Sequence, residues 1–170
     1  MTTIVRDATL DDLPVLLAIF NEVIATSTAV YRDDPVPLEE RRAWFDARKA
    51  GGYPVLVAEG EGKVVGFSSF GEFRGAFSGY RHTVEHTVHV DKSARGTGAG
   101  TALLEALFPI AAARQKHVMI GAVDAANDGS LRFHARLGFK QTGLLLEVGF
   151  KFGRWLDLAF VQKIIAPAPG

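Results

Sequence analysis

Two stretches of the chain combine residue types that could do chemistry. The first is Arg95-Gly96-Thr97-Gly98-Ala99-Gly100, which stands just before an apolar run with helical spacing. Glycines let successive backbone N–H groups crowd around an anion, and a helix N-terminus adds a favourable dipole. The spacing is G-x-G-x-G with no Lys-Ser/Thr behind it, so it fits neither a Walker loop nor a dinucleotide fingerprint. Taken alone, the run leaves phosphate binding and a flexible strand-to-helix connection both open. The second stretch, 82–89, holds His82, His86 and His89 with Glu85 between them. A metal site is the obvious reading, and strand geometry rejects it. Alternate residues share a face, so His82 and His86 lie together while Glu85, Thr87 and His89 lie on the other side. His82 and His86 then stand roughly 13 Å apart at ~3.3 Å per residue. Two ligands at about 2 Å from one zinc cannot span that distance.

Composition narrows the chemistry further. The chain has 170 residues and no cysteine, which removes disulfides, thiolate metal sites and a cysteine nucleophile and fits a reducing compartment. Without cysteine an acyl-enzyme would need an activated serine or threonine, and no such arrangement is visible. Nineteen Lys+Arg balance nineteen Asp+Glu. A chain with no net field has nothing global to attract nucleic acid or an anionic membrane, so an anionic ligand must be met locally. No apolar run approaches the ~20 residues of a membrane span, and no signal peptide is expected at the start. Apolar residues at 48% and charged ones at 22% describe one globular domain, 1–165, with a flexible tail at 166–170.

The elements that must position these residues follow from periodicity. A strand at Ile4–Ala8 leads to Thr9, which with Asp12 makes a capping box for a helix carrying Leu13, Leu16, Leu17, Phe20 and Ile24 at helical spacing. A second helix is expected from about Pro37 to Ala50, stopped by Gly51-Gly52. Strands at Val55–Glu59 and Lys63–Phe70 form a hairpin, and a loop at Gly71–Arg81 precedes a strand at His82–Asp91. After the glycine run come a helix over Gly98–Arg114, a strand at His117–Asp124, a helix at Ser130–Leu137, and strands near Lys140–Leu146 and Trp155–Ile164. The order β-α-α-β-β-β-α-β-α-β-β points to an α/β (α+β) layer structure, a mixed central sheet flanked by helices.

The whole run Val88 to Gly100 resembles motif A of the GNAT N-acetyltransferase superfamily, whose R/Q-x-x-G-x-G/A loop wraps the pyrophosphate of acetyl-CoA. Arg6-Asp7-Ala8 with Asp11-Asp12-Leu13 looks like that superfamily's opening strand and helix, and Asn127, Ser130 and Leu137-Gly138-Phe139 look like its motif B. The resemblance implies the GNAT fold and acetyl-CoA as co-substrate with no metal. The implied cofactor contacts are Val88, His89, Val90, Arg95, Gly96, Thr97, Gly98, Ala99, Gly100, Thr101, Asn127 and Ser130. Gly52-Tyr53-Pro54, Phe73-Arg74, the 80–88 run and Lys151 to Asp157 are similar, more closely, to the phosphinothricin N-acetyltransferase family. That family includes enzymes acting on methionine sulfone and methionine sulfoximine.

The closer resemblance implies transfer of acetyl to the α-amine of a small amino acid. With no nucleophile for an acyl-enzyme, direct attack on the thioester is the economical route, the oxyanion being met by a backbone N–H at Val88. An α-ammonium must lose a proton first, and Glu85 takes the position of the family's base; the plainer role is a strand carboxylate paired with Arg81. His134 stands where many members of the superfamily carry a tyrosine near the sulfur, so it is the expected acid for the leaving group, the alternative being a helix histidine that only hydrogen-bonds or lines the cofactor. Arg74 is expected to grip the acceptor's carboxylate, with Arg81 as competitor and Phe77 packed on the acceptor's side chain. Glu85, His86 and Thr87 complete the expected acceptor contacts. The Gly149–Asp157 stretch resembles a segment that reaches a neighbouring subunit, which implies a homodimer; the expected compartment is the cytoplasm. An acetyltransferase for peptide or protein N-termini and an acyl-CoA sensor without turnover are the competing functions.

Overall fold

The computed structural model describes residues 3–165, so the tail expected at 166–170 lies outside the described residues. The elements are β1 (Thr3–Asp7), α1 (Leu13–Thr26), α2 (Leu38–Ala50), β2 (Val55–Gly60), β3 (Lys63–Glu72), β4 (Thr83–Val90), α3 (Ala99–Ala113), β5 (Val118–Asp124), α4 (Asp128–Arg136), β6 (Lys140–Lys151) and β7 (Arg154–Ile164). They occur in the expected order. The boundaries shift by a residue or two except in β6, which runs five residues past the expected Leu146. Its bulges, at Gln141/Gly143 and Leu145/Gly149, absorb apolar residues that break strict alternation.

The strands form one mixed sheet in the order β1-β2-β3-β4-β5-β7-β6. All neighbouring pairs are antiparallel except β4 with β5. α1 and α2 cover one face, where Leu13, Leu16, Ile19 and Phe45 pack on Val55, Val57 and Phe67. α3 covers the other, and its expected stripe of Leu103, Leu104, Leu107 and Ala111 is fully buried against Phe70, Val84 and Met119. The Asp12 carboxylate accepts from the Thr9 backbone N–H at 2.7 Å and from Arg6 at 2.8 Å. That closes the capping box over a short 3-10 turn, Leu10–Asp12, and ties β1 to the start of α1. Pro37 serves as the N-cap of α2 rather than its first turn.

One interruption of the sheet decides where the site is. The parallel ladder of β4 and β5 pairs only Thr83, Val84 and Glu85 with Val118, Met119 and Ile120. Past Glu85 and Ile120 the two strands continue to Val90 and Asp124 without pairing. Their facing edges therefore carry backbone groups that no strand satisfies, opening a wedge in the middle of the sheet.

Candidate active site

A cavity of about 800 Å³ fills this wedge. One end is built by the glycine loop and the start of α4, with Arg95, Gly96, Gly98, Gly100, Thr101, Asn127 and Ser130 lining it. Gly98 is the N-cap of α3 with φ 94°, a left-handed conformation that costs any residue with a Cβ. Open space surrounds Gly96 and Gly98 where side chains would stand, so the loop offers bare backbone to a ligand. Thr97 and Ala99 do not line the cavity with their side chains: the Thr97 hydroxyl donates to the Ala94 carbonyl at 2.7 Å, and Ala99 is buried in the core at the start of α3. Arg95 lines the cavity but is already engaged, pairing with Glu22 at 3.2 Å. Asn127 accepts from the Ser130 N–H at 3.0 Å and so caps α4.

Val88, His89 and Val90 line the middle of the wedge, past the last β4–β5 pair. His89 packs between the rings of Phe20 and Phe67, each 5.4 Å away, and meets the Thr87 hydroxyl at 3.1 Å. Burial pushes its imidazole down to about 4, so it is neutral near pH 7. His82 does not approach His86 but pairs through Nδ1 with the Gln115 carbonyl. Among the described residues no group of three or more His, Cys, Asp or Glu is placed to hold a metal ion.

His86 and His134 meet across the wedge, Nε2 to Nε2, at 3.1 Å. Nδ1 of His134 lies 2.8 Å from the Ser130 carbonyl oxygen, which can only accept. That nitrogen therefore carries the hydrogen, the His134 Nε2 carries the lone pair, and His86 donates from its own Nε2. Burial lowers both imidazoles, that of His86 to about 3, and the His86 Nδ1 is left buried without a partner. Gly121 of β5 makes room for the pair, since a Cβ there would stand 2.7 Å from the His86 Nε2. An acid role for His134 meets this geometry badly: both of its ring nitrogens are engaged within the protein, and acting on a sulfur requires its ring to leave His86.

The other end of the cavity holds Glu85, His86, Thr87, Gly71, Glu72 and Arg48. Glu85 is half-buried and its carboxylate makes no hydrogen bond among the described residues; burial raises its pKa above the ordinary carboxylate value, opposed by the nearby Arg48 charge. It is not paired with Arg81, whose guanidinium donates to the Ser78 carbonyl. Arg74 and Phe77 do not line the cavity. Both are exposed on the 73–82 loop, where the Arg74 guanidinium stands 5.5 Å from the Phe77 ring and 5.3 Å from that of Tyr80. Arg48 was legible only as part of an amphipathic helix. Lys151 was missed too: it is buried, and its ammonium donates to the carbonyls of Ile24 (2.6 Å), Ser27 (2.8 Å) and Val30 (2.8 Å). It thereby holds the loop after α1, whose Ala29 and Val30 wall the cavity.

A sheet split at β4 and β5, with a glycine-capped helix at the mouth of the split, has close counterparts among known proteins. The Acetyltransferase (GNAT) family model matches residues 16–139. The chain belongs to the GNAT acetyltransferase family. An L-methionine sulfoximine/L-methionine sulfone acetyltransferase from Pseudomonas paraeruginosa is 47% identical over 98% of this chain and 97% of its own. A GNAT superfamily phosphinothricin acetyltransferase from Sinorhizobium meliloti, solved in complex with AcCoA, superposes with a TM-score of 0.94 at 36% identity, covering 99% of this chain and 91% of that one. The structure of a ribosomal-protein-alanine N-acetyltransferase from Brucella melitensis gives a TM-score of 0.92 at 47% identity, covering 95% and 99%.

Proposed function

We propose that the protein acetylates the α-amine of small amino-acid analogues: methionine sulfone, methionine sulfoximine and phosphinothricin. The observation that carries the reading is the position of Glu85, an unpartnered carboxylate beside the point where β4 and β5 part. Acetyl-CoA, when bound, supplies an acetyl thioester that an amine can attack, giving the amide and the free thiol. The residues suited to hold it are the backbone of 96–100, Thr101, Asn127 and Ser130 at one end and the unpaired edge of Val88–Val90 in the middle of the wedge. Val88 offers the backbone N–H best placed, in this reading, for the developing oxyanion.

Glu85 takes the proton from the acceptor's ammonium, directly or through one water. Its raised pKa moves it toward the range in which it can accept that proton and release it again. His86 and Thr87 flank it on β4 and shape the acceptor end. Arg74 and Phe77 reach the acceptor only if the 73–82 loop closes over the cavity mouth. His134 reaches the departing sulfur as an acid only if its ring turns away from His86. The chain is proposed to act as a homodimer in the cytoplasm. Leu144, Leu145, Leu146, Val148, Phe150, Phe152 and Trp155 are exposed along the edge strand β6 and the start of β7, an apolar surface that a second copy would cover. Among the described residues no helix is long and apolar enough to cross a membrane.

Acetylation of a protein N-terminus is the second reading, and the similarity to the Brucella enzyme favours it. Thiol release from acetyl-CoA, measured with the three analogues and with short peptides, separates the two. Release with the analogues is expected; release with peptides alone would reverse the order.

A further inference from the structure

Arg48 sits on the inward face of α2, one turn after Trp44, and reaches across β3 into the acceptor end of the cavity. Its guanidinium lies on Gly71: a Cβ at that glycine would stand 2.5 Å from the Arg48 Cζ and closer still to Nη1. Gly71 is the strand partner of Glu85. A free guanidinium and a free carboxylate are thus set side by side in one half-buried pocket. They are not joined by an ion pair, and neither makes a hydrogen bond among the described residues. The Arg48 Nε is buried with no partner, and the Trp44 ring, 5.6 Å away, is its cation–π neighbour. Burial without a partner disfavours the charge and lowers its pKa.

The cavity's other arginines are committed elsewhere or lie away from Glu85. Arg95 is held by Glu22 at the glycine end, and Arg136 lies on α4. Arg41, from the same face of α2, is buried over the rings of Phe20 and Trp44 and does not line the cavity. Arg74 lies outside it.

We infer that Arg48 holds the α-carboxylate of the acceptor. An α-amino acid is a zwitterion whose ammonium and carboxylate are carried on one carbon. Glu85 faces the first and Arg48 the second, so the pair reads both charges without quenching its own. The guanidinium also selects: an N-terminal residue of a peptide presents an amide where the free amino acid presents an anion, leaving Arg48 buried and unpaired. The inference rests on the proposed acetyl transfer and names the specificity residue of that site.

The test compares methionine sulfone with its carboxamide on the wild type, Arg48→Gln, Gly71→Ala and Arg74→Ala. Arg48→Gln is expected to raise KM for the acid about 10–100-fold while the KM values of the carboxamide and acetyl-CoA stay within about threefold. Gly71→Ala, which keeps the charge but displaces the guanidinium, should erode the same preference. Parallel increases for acid and amide, or a preference lost only in Arg74→Ala, would overturn the assignment. Calorimetric binding of the same two compounds in the presence of CoA needs no turnover. Weaker binding of the acid to Arg48→Gln supports Arg48 even if acetyl transfer fails, and equal binding of acid and amide by the wild type defeats it even if transfer succeeds.

Discussion

The Nε2 atoms of His86 and His134 lie 3.1 Å apart, so one of the two carries the hydrogen and the other the lone pair. With His134 giving its Nδ1 hydrogen to the Ser130 carbonyl, the pair is a neutral bridge between β4 and α4. Its consequences for leaving-group chemistry and for acid stability can be measured separately.

An acid must be protonated at the working pH, and burial lowers the His134 pKa below the ordinary histidine value. His134→Gln is therefore expected to leave the alkaline side of the kcat–pH profile unchanged. A falling limb near neutrality in the wild type that disappears in His134→Gln would restore His134 as the acid.

The buried histidines also set a stability profile. Folded, His86 titrates at about 3 and His89 at about 4; unfolded, each returns to about 6.5. The unfolded chain binds more protons between those values, so this contribution is complete above about pH 6.5 and is lost as pH falls toward 4. Urea unfolding should show declining stability over that window. His86→Gln, which can still donate to the His134 Nε2, should flatten the decline, and an equally steep decline would count against the buried pair.

Glu85 has the opposite sign. Its folded pKa is raised by burial, so the stability it contributes exists below its unfolded value of about 4.3 and is lost as pH rises through the folded one. Glu85→Gln is expected to melt higher than the wild type at pH 8, with the gap closing near pH 4. A lower melting temperature at pH 8 would mean that the carboxylate is held by partners the structure lacks. In Arg48→Gln the remaining charge on Glu85 loses its neighbouring cation, and the acid limb of kcat/KM should move to higher pH.

Lys151 makes three hydrogen bonds to main-chain carbonyls around the end of α1. Lys151→Met fills the volume but leaves those carbonyls unpaired, and a loss on the order of 3 kcal/mol in chemical denaturation is expected. Because the loop it anchors walls the cavity, acceptor KM should rise as well. A stability change under about 0.5 kcal/mol would show that water replaces the ammonium without cost.

These residues mark how far sequence reasoning reached. The stripe of Leu103, Leu104, Leu107 and Ala111 repeats at helical spacing and was readable because burial follows period. The glycine run was readable because left-handed backbone and bare N–H groups need glycine, as Gly98 does at φ 94°. Glu85 and His89 could be assigned to one face of the expected strand, and His82 and His86 to the other, from alternation alone. The partners across the wedge could not, because they join residues 48 apart in the case of His86 and His134. Arg48 reaches the site only through the crossing of α2 over Gly71, where an absent side chain makes the seat. Lys151 falls between the two expected C-terminal strands and carries no sign of burial, since its three acceptors come from the irregular end of a distant helix. Arg74 is an expectation from the resemblance of its loop alone; its guanidinium lies beside the neighbouring Phe77 and Tyr80 rings, a placement that no periodicity signals.

The central claim is amine acetylation at the Glu85 end of the wedge. Its most direct test is thiol release from acetyl-CoA with methionine sulfone as acceptor, followed in the wild type and in Glu85→Gln. The account expects release matched mole for mole by N-acetylated methionine sulfone, falling about 10²–10⁴-fold in Glu85→Gln. Release that needs a peptide, or a loss under about threefold in Glu85→Gln across the pH range, would contradict it.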